Sequence, residues 1–423
     1  MIVSFEIEGW SDPVRVSVRP HSIAVSLGTE PIYIFDPAGR LHEAFIAGRN
    51  YLRGLDGRVL EKWGRSQIGV PIRRDLPPNE AARLVEQTIL AMDQVQSAVS
   101  AGKVRWVEGM PTEAEWDAAR RALETIAAWD ASRLAADAAE FDRIYWPVSI
   151  LPPDQYLALV LQLTEGCSYN ECTFCTFYRD RPFRIKQLPE FVEHVARVKH
   201  FFGPALRMRR TIFLADANAI VAPQRLLVPA LDLVQREFEV IPNGANLTAY
   251  RRDHPAAFDG VYAFADAFTG HFKSTADYRE LAERSLRRVY IGLESGHDPL
   301  LHWVRKAGTS ADAVEVVRTI KAAGVRVGVI IMIGIGGRRF AAGHVADTIR
   351  AVNAMGLGAG DFVYFSEFVE PPDSEYTTQA AADGVERLTP TEMHAQMKAI
   401  RAGFRFASPP PKVSIYDIRE SIY

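Results

Sequence analysis

The chain has 423 residues, 48% of them hydrophobic, which supplies full cores for two or three domains without disulfide stapling. Its 49 basic and 52 acidic side chains give a net charge of −3, so no overall positive field advertises a nucleic-acid or anionic-membrane partner. The longest strongly apolar stretch, 325–337, is broken by Arg326 and several glycines and is too short to span a bilayer. The first ten residues lack a basic region and an apolar core of the signal-peptide kind, and the cysteine count is odd; both predict a reducing, cytoplasmic setting.

In the first 150 residues, alternating apolar positions predict short strands over 1–7, 14–25 and 32–35, joined by Gly, Pro and Asp turns. Helices follow. Asn79 is the expected N-cap after Pro77 and Pro78, with Leu84, Ile89, Met92, Val95 and Val99 running to a stop at Gly102. Thr112 and Glu115 form a capping-box pattern ahead of Trp116, Leu123 and Ile126 on one helical face, with Trp129 drifting off it. Residues 146–153 read as a linker.

From residue 156 the rhythm becomes strand, loop, helix. Apolar runs at 156–163, 211–215, 260–265, 288–294, 326–333 and 361–365 predict six strands. Helices are expected at 189–202, stopped by Gly203, within 223–238, where Pro229 shifts the start or kinks it, at 310–323 and at 341–355. This alternation predicts a parallel sheet covered by helices, with ligands at the carboxyl ends of the strands. The segments 164–178, 215–218, 294–296 and 334–337 all follow strand ends and are expected on one rim.

All three cysteines, Cys167, Cys172 and Cys175, fall in the first of these segments, at a four-residue and then a two-residue gap. Three such thiolates can wrap one face of a cubane cluster, which has four irons and so keeps one iron open to bind and activate something. A zinc site completed by His194 or His200, on what reads as a surface helix, is the competing reading; it leaves the other strand-end motifs unexplained. Taken singly, Glu294 reads as a surface carboxylate, 334–337 as a flexible turn, Asp216 and Asn218 as helix caps, and Tyr364 and Phe365 as core. The arginine-dense stretch with Arg49, Arg53 and Arg58, followed by Arg65, Arg73 and Arg74, is either a solvated surface loop and helix or a flap that grips an anionic substrate group.

The cysteine loop, the strand pattern and the run Tyr290-Ile-Gly-Leu-Glu-Ser-Gly296 together resemble the radical S-adenosylmethionine superfamily across residues 156–370. That family's usual loop has three residues between its first two cysteines; the four found here, with Asn170 and Thr173-Phe174-Cys175, resemble a poorly characterised group within it. The resemblance implies an α/β fold: an incomplete (β/α)6 barrel of the TIM type at 151–370, beside an N-terminal α+β domain at 1–150 and a C-terminal extension at 371–423 that closes one side. It implies that Cys167, Cys172 and Cys175 hold a 4Fe–4S cluster whose fourth iron is chelated by S-adenosylmethionine. An electron, from a donor such as flavodoxin or ferredoxin, then cleaves the sulfonium to a 5′-deoxyadenosyl radical that takes hydrogen from an unidentified small substrate. Carried over by position, Phe174 would border the adenine, and Gly334, Ile335 and Gly336 would let the backbone approach it. The family's Gly-Gly-Glu turn, which receives the methionine ammonium, is replaced by Ala215-Asp216-Ala217-Asn218. Glu294, with Ser295, would meet the ribose hydroxyls or the ammonium, and Arg179, Arg184, Arg305 and Lys306 are candidate partners of the methionine carboxylate. No cysteine is left for a second cluster, and the N-terminal region lacks the regular βαβ alternation of a cobalamin-binding domain. The alternatives kept open are nucleotide or RNA modification, with the arginine-rich segment reading phosphate, and a non-catalytic iron–sulfur electron-transfer or interaction protein.

Overall fold

The computed structural model describes residues 1–66, 71–107, 109–270, 272–420 and 422–423. They gather into two units: Met1–Val148 with Ala196–Arg209 and Ile422–Tyr423, and Ser149–Val195 with Arg210–Ser421.

In the first unit, strands β1 (Ile2–Ile7), β2 (Val14–Arg19), β3 (Ser22–Leu27), β4 (Ile32–Phe35), β5 (Leu41–Ile46), β6 (Arg49–Arg53), β7 (Val59–Trp63), β8 (Ile72–Asp75) and β9 (Val104–Trp106) form one sheet. The order is β8-β7-β6-β5-β4-β3-β2-β1-β9, and each neighbouring pair is antiparallel. The expected single run at 14–25 is two strands, turned at Pro20 and His21. Alternation puts Val3, Phe5, Val14, Val16, Ile23 and Val25 into a core with Met92 and Val95 of α1 (Pro78–Ser100) and Leu123 and Ile126 of α2 (Glu113–Ala127). Each fully buried side chain of this size contributes about 1.5–3 kcal/mol. The Thr112–Glu115 capping box forms as read, whereas Asn79 does not cap α1: Pro77 holds that position and Pro78 opens the helix, its fixed φ suiting the first turn. A third helix, α3 (Ala131–Ile144), follows.

The arginine-dense stretch is mostly strand, with Arg58 in the turn between β6 and β7 and Arg65 past the end of β7. It forms β6, β7 and β8, and its side chains are engaged inside the unit. Arg49 and Arg74 pair with the buried Glu61 at 2.7 and 2.5 Å, Arg58 pairs with Asp56 at 2.6 Å, and the buried Arg53 donates to the carbonyl oxygen of Leu134 at 3.3 Å.

The second unit contains strands β10 (Ala158–Gln162), β11 (Thr164–Glu165), β12 (Arg184–Ile185), β13 (Thr211–Ala215), β14 (Val261–Ala265), β15 (Leu286–Glu294), β16 (Arg326–Ile333), β17 (Phe362–Glu367) and β18 (Lys412–Tyr416). Its helices are α4 (Leu188–Phe202, shared between the two sets of residues), α5 (Gln224–Glu237), α6 (Leu247–Asp253), α7 (Ala267–Gly270), α8 (Thr275–Glu283), α9 (Asp298–Trp303), α10 (Ser310–Ala322), α11 (Gly337–Ala354), α12 (Glu375–Ala382) and α13 (Pro390–Ala402). Seven strands pair in parallel in the order β10-β13-β14-β15-β16-β17-β18, one more than the sequence predicts. The addition, β18, comes from the segment read as a C-terminal extension. Every residue of β10, β13 and β14 is buried, as parallel strands covered on both faces require. Pro229 lies inside α5, which starts ahead of it at Gln224.

The amino ends of these strands are sealed by one carboxylate. Asp154 accepts from Arg288 at 2.6 Å, from the hydroxyls of Tyr290 at 2.6 Å and Tyr364 at 2.7 Å, and Gln155 bridges Tyr290 to Thr211. Above them the rings of Phe213, Phe264 and Tyr290 fill the interior. The carboxyl ends of the strands are therefore the candidate for a ligand site.

Candidate active site at the carboxyl ends of the strands

After β10 the chain forms a clasp: β11 pairs antiparallel with β12, Thr164 opposite Ile185 and Glu165 opposite Arg184. Glu165 ties it with ion pairs to Lys186 at 2.5 Å and Arg184 at 3.0 Å. Burial alone would raise this carboxyl, but the two cations hold it below its ordinary range.

The cysteine loop between β11 and β12 is braced from several sides. Asn170 donates from its side chain to the carbonyl of Tyr178 at 2.9 Å, and the Cys175 N–H donates to the carbonyl of Cys172 at 3.2 Å. Thr173 donates its N–H to the Val304 carbonyl at 3.1 Å, and Arg179 donates to the carbonyls of Cys172 and Cys175. All three cysteines are free and half-buried. Burial raises the Cys172 thiol and pushes the Cys175 thiol up to about 11; the Lys306 ammonium opposes the rise at both.

Among the described residues, no group of three or more His, Cys, Asp or Glu side chains is arranged to hold a metal ion. A zinc ion needs ligands gathered within about 2.0–2.3 Å of one centre, whereas the thiolates on a cubane each take a separate iron. Three thiols on one braced loop suit a cluster, in which each thiolate takes its own iron. His194 does not complete a zinc site either. It is buried, not on the surface, and its Nε2 accepts the N–H of Gln162 at 3.0 Å.

Asp216, after β13, is buried, and its carboxylate accepts the Gly166 N–H at 3.1 Å, one residue ahead of Cys167. Gln162 reaches its other oxygen, Arg181 lies 3.4 Å away, and the Asp216 N–H donates to Thr164 at 2.9 Å. Burial pushes its carboxyl up to about 6 against the pull of Arg181. One oxygen thus ties Asp216 to the entry of the cysteine loop and the other to the end of β10. Asn218 does cap: its side-chain oxygen accepts from Val221 at 3.1 Å while its amide donates to Asp266 and Thr269. Ala215 closes β13 opposite Gln162.

Glu294 ends β15 with φ +57°, in the left-handed region that costs a non-glycine residue about 1–3 kcal/mol. It is buried, and Lys306 Nζ lies 3.2 Å from its carboxylate. Burial disfavours that ammonium, yet Glu294 and then Cys172 outweigh the penalty and raise its pKa. Of the four candidate cations, Arg179 serves the loop backbone, Arg184 pairs with Glu165 and Glu190, and Arg305 pairs with Glu375. Lys306 is the one that pairs with the strand-end carboxylate, and its charge is felt by the Cys172 thiol.

Phe174 and Met332 pack on an apolar cluster with Leu300, Val304 and Ile335, so Ile335 is core. Gly334, Gly336 and Gly337 all have positive φ, and added side chains would strike Met393, Leu300 and the Glu386 carbonyl, so the close packing of α13, α9 and the α12–α13 connection already requires them. Gly334 also borders a cavity of about 480 Å³ at the ends of β16–β18, with Glu367, Glu370, Tyr376, Arg387 and Arg419. Tyr364 and Phe365 are core, as read. Sequence reasoning missed Ser366 and Tyr416, which face each other in register on β17 and β18 and bury hydroxyls that have no protein partner. The alternation in Lys-Val-Ser-Ile-Tyr416 was the available signal.

With this geometry in view, the comparisons with known proteins can be placed. The radical SAM superfamily model matches residues 161–342, from the end of β10 into α11. A curated relative, 4′-phospho-dehydrooxetanocin synthase of Priestia megaterium, is 27% identical over 184 residues, covering 41% of this chain and 23% of the synthase. The chain thus spans about a quarter of the curated relative it matches. Solved structures give weaker likenesses. The cobalamin-dependent S-adenosylmethionine radical enzyme OxsB aligns at 15% identity and TM-score 0.35, over 64% of this chain and 33% of its own. Coproporphyrinogen III oxidase HemN from Escherichia coli aligns at 9% identity and TM-score 0.40, over 65% and 56%. Residues 161–342 thus match the radical SAM superfamily, whose enzymes use a 4Fe–4S cluster and S-adenosylmethionine.

Proposed function

We propose that this chain is a radical SAM enzyme built on an incomplete barrel, with the cluster on Cys167, Cys172 and Cys175 and S-adenosylmethionine at the carboxyl ends of β10, β13, β15 and β16. Bound there and reduced by a flavodoxin- or ferredoxin-type donor, the cofactors supply a 5′-deoxyadenosyl radical that abstracts hydrogen from a small substrate. The observation that carries this reading is the placement of Lys306, 3.2 Å from Glu294 and beside the Cys172 thiol, on the rim where the cysteine loop is anchored.

Each residue then has a task that follows from its chemistry. Lys306 is the cation available to the methionine carboxylate, and Glu294, with Ser295 behind it, is the acceptor for the ribose hydroxyls or the ammonium. Asp216 fixes the entry to the cysteine loop, while the backbone carbonyl of Ala215 remains an acceptor for the ammonium. Phe174 and the backbone at Gly334, Ile335 and Gly336 border the adenine. The sealed amino ends of the strands keep water from entering by that route. The matched synthase is named for a phosphorylated compound, which makes phosphorylated small molecules the first substrates to test.

Anaerobically reconstituted protein should hold about four irons and four sulfides per chain, and any one cysteine-to-Ala change should abolish the intact cluster. Reduced protein given S-adenosylmethionine should release 5′-deoxyadenosine, faster with substrate. One zinc without sulfide would overturn the cluster assignment. An intact, reducible cluster that never yields the nucleoside would favour the electron-transfer reading. Untargeted comparison of metabolites in deletion and parent cells would identify the substrate.

A further inference from the structure

The turn that follows Glu294 is clamped, residue by residue, onto one face of α11. Ser295 is fully buried, and its Oγ accepts the His297 N–H at 3.0 Å and lies 2.7 Å from His344 Nδ1. Gly296 donates its N–H to Thr348 Oγ1 at 2.8 Å, and His297 Nδ1 is 2.7 Å from the Asp347 carboxylate. The helix residues involved, 343, 344, 347 and 348, recur at the spacing of a single helical face. The approach is close enough to dictate small residues on both sides. A side chain at Gly296 would come within 2.4 Å of the Asp347 carbonyl, and one at Gly343 within 2.4 Å of the His297 ring.

Two features make this more than ordinary packing. Glu294 holds a left-handed φ of +57°, a conformation that persists only where the surroundings impose it, and its next neighbour is the residue most heavily tied to α11. His344 and Thr348 are also completely buried, so their hydrogen bonds face no competition from water and should be stiff. The same helix starts at Gly337, directly after the turn at Gly334–Gly336. One rigid element therefore carries both strand-end turns to which cofactor contacts are assigned above.

Resting on that assignment, we propose that His344 and Thr348 are positioning residues, which set the direction of the Glu294 carboxylate through Ser295 and Gly296 and so govern binding of S-adenosylmethionine without touching it. Both side chains are fully buried, so neither faces the open rim. Their influence should pass through Glu294 and vanish when Glu294 is removed.

The test is a double-mutant cycle on the full, cluster-reconstituted chain, with equilibrium affinity for S-adenosylmethionine as the readout and thermal melting without ligand as the control. Thr348→Val keeps the shape of the side chain and removes the acceptor for Gly296. His344→Ala removes the partner of Ser295. His344→Asn restores a polar atom near Nδ1 and gives up only Nε2, which has no protein partner. Thr348→Val and His344→Ala should each weaken binding about tenfold in the parent and less than about twofold in the Glu294→Ala background, with His344→Asn recovering most of the loss. Equal losses in both backgrounds would overturn the inference in favour of a general structural role, as would no loss in either. Should His344→Ala fail to fold, Thr348→Val decides the matter alone. If Glu294→Ala by itself leaves affinity unchanged while iron content and nucleoside release persist, both the role given to Glu294 and this inference fall, and the cluster assignment stands.

Discussion

The two ends of the parallel sheet are built from similar residues and put to opposite uses. At the amino ends, Asp154 takes hydrogen bonds from Arg288, Tyr290 and Tyr364, and Gln155 and Thr211 complete a closed network. At the carboxyl ends, Ser366 and Tyr416 bury hydroxyls without a partner among the described residues, Glu294 sits in a strained backbone, and Lys306 pairs with it. Polar groups that satisfy one another hold a fold together, while groups with spare capacity, kept in place by others, are ready for a ligand.

The contrast is most easily broken at Asp154. Asp154→Ala leaves the guanidinium of Arg288 and two phenols without their shared acceptor, and losing a hydrogen bond to a charged group costs about 1.5–3 kcal/mol. We expect a loss of stability near the lower end of that range, because Asp154 keeps some exposure, measured by denaturant titration. The surviving folded protein should still bind the cluster. A variant as stable as the parent would show the amino-end network to be dispensable.

Acid sharpens the comparison, because the carboxyl end contains two buried groups that respond in opposite directions. Burial and the neighbouring His297 lower His344 to about 4, so its contribution to stability is complete above its unfolded value of about 6.5 and is lost as the pH falls towards 4. Burial raises Asp216 to about 6, so its contribution grows as the pH falls from 6 to its unfolded value near 3.8. Each effect is about 3 kcal/mol, and between pH 6 and 4 they nearly cancel. Relative to the parent, His344→Asn should therefore gain stability on acidification through this window, and Asp216→Asn should lose it. Urea melts of the three proteins at pH 6.5, 5 and 4 would show parallel curves if the two groups do not titrate as described.

How much of this was legible beforehand follows from the kind of force involved. The six inner strands and the cysteine loop stand out because apolar runs and ligand spacing are local patterns, readable one segment at a time. Strand β18 shows the same alternation, yet it lies after a proline run and far from the repeating units, so its pairing with β17 is a tertiary fact. Asp216 was legible as a strand-end carboxylate, but its ties to Gly166 and Arg181 were not, since only the fold brings those residues to it. His344 carries no signal at all in the sequence: a histidine in the middle of a helix gains meaning from the turn packed against it. The arginines of β6 and β8 looked available because the sequence cannot show that Glu61, on the strand between them, pairs with both Arg49 and Arg74.

Glu294 marks the boundary between a group that stabilises the protein and one that serves a ligand. Losing a charged acceptor costs a bound partner about 1.5–3 kcal/mol, so Glu294→Ala should weaken S-adenosylmethionine binding roughly ten- to a hundredfold while the cluster stays in place. Its effect on stability should be much smaller, because the left-handed backbone strain is eased for a smaller side chain only slightly and Lys306 can turn towards solvent. Lys306→Met should weaken binding as well, and its effect should be confined to the methionine end: affinity for 5′-deoxyadenosine alone should not change. Equal loss for both ligands would place Lys306 elsewhere in the site.

The finest distinction between the two ends lies in single hydroxyl groups. Tyr364 and Tyr416 are neighbours, with ring centroids 5.9 Å apart, and both are buried. The hydroxyl of Tyr364 donates to Asp154, and that of Tyr416 meets no protein partner. Deleting a satisfied buried hydrogen bond costs about 0.5–1.5 kcal/mol, and more to a charged acceptor, whereas removing an unsatisfied hydroxyl relieves a desolvation penalty. Tyr364→Phe should therefore lower stability by about 1.5 kcal/mol, while Tyr416→Phe and Ser366→Ala should leave it unchanged or slightly raised in protein without ligands. The same Tyr416→Phe protein should lose substrate-dependent acceleration of nucleoside release if that hydroxyl is kept for the substrate. A stability loss in Tyr416→Phe as large as that in Tyr364→Phe would mean that a buried water satisfies it, and that the two ends of the sheet differ less than their hydrogen bonds suggest.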